Sequence, residues 1–173
     1  MSRSPASLLR CLAVLLLVAP ATALAAPAHA AATACTLNGV AQPGPDVVGT
    51  SADDTIVCSS LDAGHTVEGL GGVDTITLAG TIDGNVRGGD GGDRITLAGG
   101  SASVGPMGSI DGQFGDDDIE IGAPVLGAVR GGRHNDTIHF VNGSSMASRT
   151  LVRGARGSDT LTFDDEEGEG SSA

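Results

Sequence analysis

Six aspartates recur down the chain in one sequence context: Asp54, Asp74, Asp93, Asp117, Asp136 and Asp159. Each stands sixth in a nine-residue phrase that begins with glycine. The phrases are GTSADDTIV from Gly49, GLGGVDTIT from Gly69, GGDGGDRIT from Gly88, GQFGDDDIE from Gly112, GGRHNDTIH from Gly131 and GARGSDTLT from Gly154. The chemistry open to such a set is oxygen ligation. Glycine lets a turn take positive φ and aim carbonyls inward, where a Cβ would interfere, and each aspartate adds a carboxylate. Calcium takes about six to eight oxygens and tolerates irregular geometry, whereas magnesium demands a tight octahedron and holds its water. Asp53, Asp90 and Asp116 are further carboxylates in the same phrases. Aspartate is also a common β-turn residue, but six carboxylates stacked in one column without a cation would repel one another.

Such residues need a scaffold, and each phrase is set in one. Two residues before it stands Val47, Val67, Val86, Ile110, Val129 or Val152. Its eighth residue is Ile56, Ile76, Ile95, Ile119, Ile138 or Leu161, and two residues on comes Cys58, Leu78, Leu97, Ile121, Phe140 or Phe163. From the leading Val or Ile to the eighth residue the step is nine in all six copies, whereas the step on to the next copy is 11, 10, 15, 10 and 14. One turn therefore has a fixed length, and the other absorbs insertions such as GGSASVGPMGS and NGSSMAS. A surface connection tolerates such variation cheaply. A turn that places ligands does not, so the fixed turn is the expected site. Alternation in DTITL and DTIHF predicts short strands, with Thr75 and Thr77, or Thr137 and His139, facing away from the isoleucines. Each copy suffices for two short strands and two turns but cannot bury its apolar side alone, so the copies must stack. The expectation is an all-β solenoid of about six coils over residues 47–163, an N-terminal cap over 31–46 and an acidic, disordered tail over 164–173.

The six phrases resemble the RTX, or hemolysin-type, calcium-binding repeat GGxGxDxUx, most closely in the copies from Gly69, Gly88 and Gly112. They depart from it at Ala52 and His134, where the family has its second-turn glycine, and at Ala155, where it has its second glycine. The resemblance implies a right-handed parallel β-roll, here in a short exported bacterial protein, with calcium as the cofactor. It carries the ligand role onto Asp54, Asp74, Asp93, Asp117, Asp136 and Asp159, with Gly69, Gly88, Gly112, Gly131 and Asp90 completing the loops. Six loops leave five gaps, so up to five ions are implied. They form one row, because the variable turns, AGTIDG for example, lack the motif. Folding is expected to depend on calcium.

Composition and address narrow the function. With 28 glycines, three phenylalanines and no tryptophan or tyrosine, the core is not built on large rings. A formal charge of -12 excludes a nucleic-acid partner, which wants a basic face. Arg3 and Arg10, the apolar run Leu12 to Val18, Pro20 and the small-residue sites before Ala25 and Ala30 predict a secretory signal peptide over residues 1–30, cut after Ala30 or Ala25. The run is too short to span a bilayer, so no transmembrane span is expected in the mature protein, which is secreted and extracellular. Loss of both arginines takes the charge from -12 to -14. Cys11 leaves with the signal, and Cys35 and Cys58 remain as an even pair in an oxidising compartment, where a disulfide is expected. His65, His134 and His139 show no metal-ligand spacing. No nucleophile–base arrangement stands out, so a non-enzymatic protein is expected. The rivals are a polysaccharide lyase or epimerase on a solenoid, and a calcium-stabilised module adhering to an extracellular glycan, a cell surface or ice. Thr75, Thr77, Thr96, Thr137, Thr160 and Thr162 would supply the ice-binding face, which Arg94, Asp118, Glu120 and His139 interrupt.

Overall fold

A computed structural model describes residues 34–164. The expected signal peptide, and all but Asp164 of the expected tail, lie outside the described residues. A hairpin comes first, β1 (Ala34–Leu37) and β2 (Val40–Gln42), and six coils follow. The first coil holds β3 (Val47–Val48) and β4 (Thr55–Ser60). The second holds β5 (Thr66–Gly71), β6 (Thr75–Leu78) and β7 (Thr81–Ile82); the third β8 (Asn85–Asp90), β9 (Arg94–Leu97) and β10 (Ser103–Val104). The fourth holds β11 (Ser109–Phe114), β12 (Asp118–Ile121) and β13 (Pro124–Val125); the fifth β14 (Ala128–Arg133), β15 (Thr137–Phe140) and β16 (Ser145–Met146). The sixth closes the solenoid with β17 (Leu151–Arg156) and β18 (Thr160–Phe163).

Equivalent strands of successive coils pair in parallel, and this makes three sheets. The six-stranded sheet runs β3-β5-β8-β11-β14-β17, and the four-stranded sheet β7-β10-β13-β16. The eight-stranded sheet runs β4-β6-β9-β12-β15-β18 and is extended past β4 by β1 and β2. The hairpin departs from the parallel rule: β1 pairs antiparallel with both β2 and β4, with Cys35 opposite Cys58. Those two cysteines form the disulfide.

Register is set by burial. Ile76, Ile95, Ile119 and Ile138 pair one above another, and every member is fully buried. Moving a strand by one residue would turn this whole column to solvent. The columns led by Val47 and by Cys58 are buried in the same way through the fifth coil. Coils carrying three strands differ from the two-strand unit expected. The additional strand buries Ile82, Val104 and Val125, and Leu61 of the first coil, bridged to Ile82, is buried in line with them. The variable connection is thus two short corners either side of a two-residue strand, and insertions enter those corners. At the sixth coil burial fails: Leu161 and Phe163 are each 48% exposed, although Phe163 stacks on Phe140 with ring centroids 5.0 Å apart.

Candidate functional site

The fixed turn joins the six-stranded sheet to the eight-stranded sheet, and its backbone has one repeated conformation. From the second copy on, the second position has positive φ: Leu70, Gly89, Gln113, Gly132 and Ala155. So does the fourth: Gly72, Gly91, Gly115, His134 and Gly157. Glycine takes this region without penalty, while Leu70, Gln113, His134 and Ala155 occupy it with strain. The first copy, with Thr50 and Ala52, does not show it at either position.

This turn carries the sixth-position aspartates to the base of the eight-stranded sheet with their side chains inward. Asp54, Asp74, Asp93, Asp117 and Asp136 are buried, and Asp159 on the last coil is exposed. From Asp74 on, one oxygen of each is used between coils. The amide of Asp54 donates to Asp74 Oδ1 (2.8 Å), that of Asp74 to Asp93 Oδ1 (2.8 Å) and that of Asp93 to Asp117 Oδ1 (2.8 Å). The amide of Asp117 donates to Asp136 Oδ1 (3.0 Å) and that of Asp136 to Asp159 Oδ1 (3.1 Å). A second, broken ladder runs at the fifth position. There Val73 donates to Asp53 Oδ1, Asn135 to Asp116 Oδ1 and Ser158 to Asn135 Oδ1.

The other carboxylate oxygen is the unusual atom. Oδ2 of Asp74, Asp93, Asp117 and Asp136 is buried without a hydrogen-bond partner. Each lies against the first glycine of its own phrase. A Cβ on Gly69 would meet Asp74 Oδ2 and the carbonyl oxygen of Gly88; on Gly88, Asp93 Oδ2 and the Gly112 carbonyl; on Gly112, Asp117 Oδ2 and the Gly131 carbonyl. The glycine at position one is therefore required by space, and carboxylate and carbonyl oxygens from consecutive coils converge beside it. Burial pushes the Asp93 carboxyl up to about 6 and the Asp117 carboxyl up to about 7, the charges of adjacent aspartates add to the shift, and the amide bond to each opposes it. Asp74 and Asp136 are raised by burial in the same sense.

The six expected carboxylates are not equivalent. Both oxygens of Asp54 are satisfied, one by Asn38 Nδ2 (2.6 Å) from the hairpin and one by the Thr50 amide (2.5 Å). The Asn38 bond foremost, then the amide, holds Asp54 below the usual carboxylate range. Asp90 is exposed at the end of β8, outside the buried column. His134 and His139 are engaged elsewhere, and His65 Nδ1 is buried without a hydrogen-bond partner. His65 Nδ1 lies 3.5 Å from Asp46, His139 Nε2 lies 2.8 Å from Asp164, and His134 Nδ1 accepts from the Gly115 amide. The threonine face is broken as well, since Arg94 pairs with Asp118 (2.6 Å) and Glu120 (3.1 Å).

Sequence reasoning identified the aspartate column but not its splitting into one bonded and one unpartnered oxygen, and it missed the Leu61–Val125 column. That column was detectable, because Leu61, Ile82, Val104, Val125 and Met146 recur at steps of 21, 22, 21 and 21. Among the described residues no three His, Cys, Asp or Glu side chains converge. A cation in this turn would rely on backbone carbonyls as much as on carboxylates, a donor set of oxygens only, which fits a hard divalent ion. Comparison with protein-family models, with curated proteins and with solved structures finds no match.

Proposed function

We propose that this chain is an exported, non-enzymatic calcium-binding solenoid whose folding is coupled to the ion. The observation that carries the reading is the row of buried, unpartnered Oδ2 atoms on Asp74, Asp93, Asp117 and Asp136. An unsatisfied buried carboxylate oxygen costs desolvation that no hydrogen bond returns, and four in one row compound it by repulsion. Asp74, Asp93, Asp117 and Asp136 would hold the ions together with the carbonyls of Gly88, Gly112 and Gly131. Calcium bound there would supply the positive charge that these oxygens lack. Asp54, already satisfied by Asn38 and Thr50, contributes to the hairpin junction instead, so fewer than five ions are expected. The resemblance to RTX repeats points the same way.

An ion that binds only the folded chain adds about 2.7 kcal/mol at a free concentration one hundred times its dissociation constant. Several such sites couple folding to the metal. Calcium titration followed by far-ultraviolet circular dichroism and calorimetry tests the reading. Strand signal and compaction are expected on adding calcium to the chelated protein, and magnesium should produce them poorly. Asp93→Ala should weaken binding more than Asp83→Ala, which lies outside the fixed turn. A chelated protein with the same strand signal, radius and melting point as the calcium-treated one would overturn the coupling.

A further inference from the structure

Seven of the nine arginines lie in the described region, and four of them share one place. Arg130 and Arg133 stand on β14, with Arg153 and Arg156 their register partners on β17. Like charges placed directly across neighbouring strands destabilise a sheet, and here two such pairs adjoin. Arg94 on the eight-stranded sheet is neutralised by Asp118 and Glu120. Among the described residues, none of the four clustered arginines forms an ion pair. Asp111, on the strand before and opposite Arg130, has its carboxyl raised by burial and drawn back by the charges of Arg130 and Arg87. These four guanidiniums lie together in a chain of net charge -12.

Three of the four, Arg130, Arg133 and Arg156, line a groove on the outer side of the six-stranded sheet, and Arg153 stands beside Arg130 outside its lining. The groove measures about 340 Å³ and is lined by Asp111, Gln113, Phe114, Arg130, Arg133 and Arg156, among others. The Arg133 guanidinium lies over the Phe114 ring, 4.8 Å from its centroid, which holds it in place by cation–π attraction. Phe114 remains 41% exposed, so a ring edge and the Gln113 side chain line the groove beside the charges.

We propose that this groove binds a linear anionic saccharide, its carboxylate or sulfate groups taken by Arg130, Arg133 and Arg156, with Arg153 beside Arg130 extending the basic strip. Planar guanidiniums recognise both groups through paired hydrogen bonds. The two arginine rows lie one strand apart, about 4.8 Å, so they suit anionic groups repeated along a chain rather than one isolated ion. The exposed part of Phe114 offers a surface for a sugar ring, and Gln113 an amide for its hydroxyls. A nucleic acid is disfavoured by the negative field of the remaining surface. The groove faces outward and uses none of the inward aspartates, so the assignment does not rest on the calcium reading.

The test measures binding of oligogalacturonate, heparin-derived hexasaccharide, maltohexaose and polyphosphate by calorimetry. It uses the purified full chain in calcium, with circular dichroism confirming the fold of every variant. At least one of the two acidic saccharides should bind, showing whether carboxylate or sulfate is preferred, and maltohexaose should not. R133Q/R156Q and, separately, R130Q/R153Q should weaken binding by about tenfold or more, the ratio expected for losing exposed charge-assisted contacts. Arg94→Gln should leave it unchanged. A chain ending at Asp164, which lacks the acidic residues Asp165, Glu166, Glu167 and Glu169, should bind at least as tightly. The proposal is overturned if neither acidic saccharide binds the full or the shortened chain, or if both double variants bind like the parent, as calcium bridging alone would give. Polyphosphate binding as tightly as the better saccharide would also overturn it, by reducing the groove to an unselective anion site.

Discussion

Each buried aspartate does two jobs that substitution can separate. Asp117 Oδ1 accepts the Asp93 amide, while Asp117 Oδ2 has no partner. Asp117→Ala leaves that amide buried and unpaired, a loss of about 1–3 kcal/mol, and it should destabilise the protein with or without calcium. Asp117→Asn keeps an acceptor and removes the charge. It should leave the strand signal in chelator unchanged or improved and reduce the calcium stoichiometry, as read by circular dichroism and calorimetry. If Asp117→Asn binds as much calcium as the parent, the carboxylate is not a ligand. The same residues predict a pH dependence for the chelated protein. Asp93 and Asp117 titrate near 6 and 7 when folded, against an ordinary 3.8. Between these values the folded state holds more protons than the unfolded one, so stability falls as pH rises. Their contribution is complete below about pH 4 and lost above about pH 7. In chelator the chain should therefore hold more strand signal at about pH 5 than at about pH 8, and a gain of strand signal on raising the pH across that interval would contradict the burial argument. With calcium, which takes the ionised form, the slope should flatten or reverse.

In the turn element, glycine is required for two different reasons. Gly88 sits where a Cβ would strike Asp93 Oδ2 and the Gly112 carbonyl, whereas Gly64 has positive φ but open space around it. Gly88→Ala must displace backbone or carboxylate and should cost about 3 kcal/mol or more, beyond ordinary overpacking. Gly64→Ala should cost about 1–2 kcal/mol, the left-handed penalty alone. Chemical denaturation of the two variants checks the difference, and equal losses would show that the first-position glycine is not held by its neighbours. In the strand element, the four-stranded sheet contributes core despite its two-residue strands. Ile82 is fully buried and Met146 is 46% exposed. Ile82→Ala should therefore cost about 2–5 kcal/mol, and Met146→Ala far less.

The whole molecule has two unlike ends. At the N-terminal end the hairpin covers the first coil and is tied to it by Cys35–Cys58, a separation of 23 residues. Closing a loop of that length is worth about 3 kcal/mol through the unfolded chain. Reduction should lower the melting temperature, with alkylation and intact mass verifying the broken bond. At the C-terminal end β16, β17 and β18 are the last strands of their sheets, with Leu161 and Phe163 half exposed. Because each coil contacts only its neighbours, opening should begin there. Amides of β17 and β18 should exchange with solvent well before those of β9 and β12 in a hydrogen-exchange experiment. Uniform protection along the solenoid would show that the ends are equally secured.

Much of this was legible in the residues because a solenoid writes its contacts into its period. The constant step of nine from Val86 to Ile95 fixes one turn, and the three apolar columns name most of the core. The expectation that Cys11 leaves with a signal peptide left Cys35 and Cys58 a single pairing, and these two are bonded. What the chain alone did not decide lies between coils. Asp54 is satisfied on both sides because the docked hairpin brings Asn38 to it. Whether Asp93 spends an oxygen on the Asp74 amide and how Arg130 and Arg133 come to face Arg153 and Arg156 depend on cross-coil register. That register joins residues about twenty positions apart through connections of varying length. The period determined which residues face inward, and only stacking decided which atoms meet, because hydrogen bonding and charge act over a few ångströms that variable corners leave unspecified.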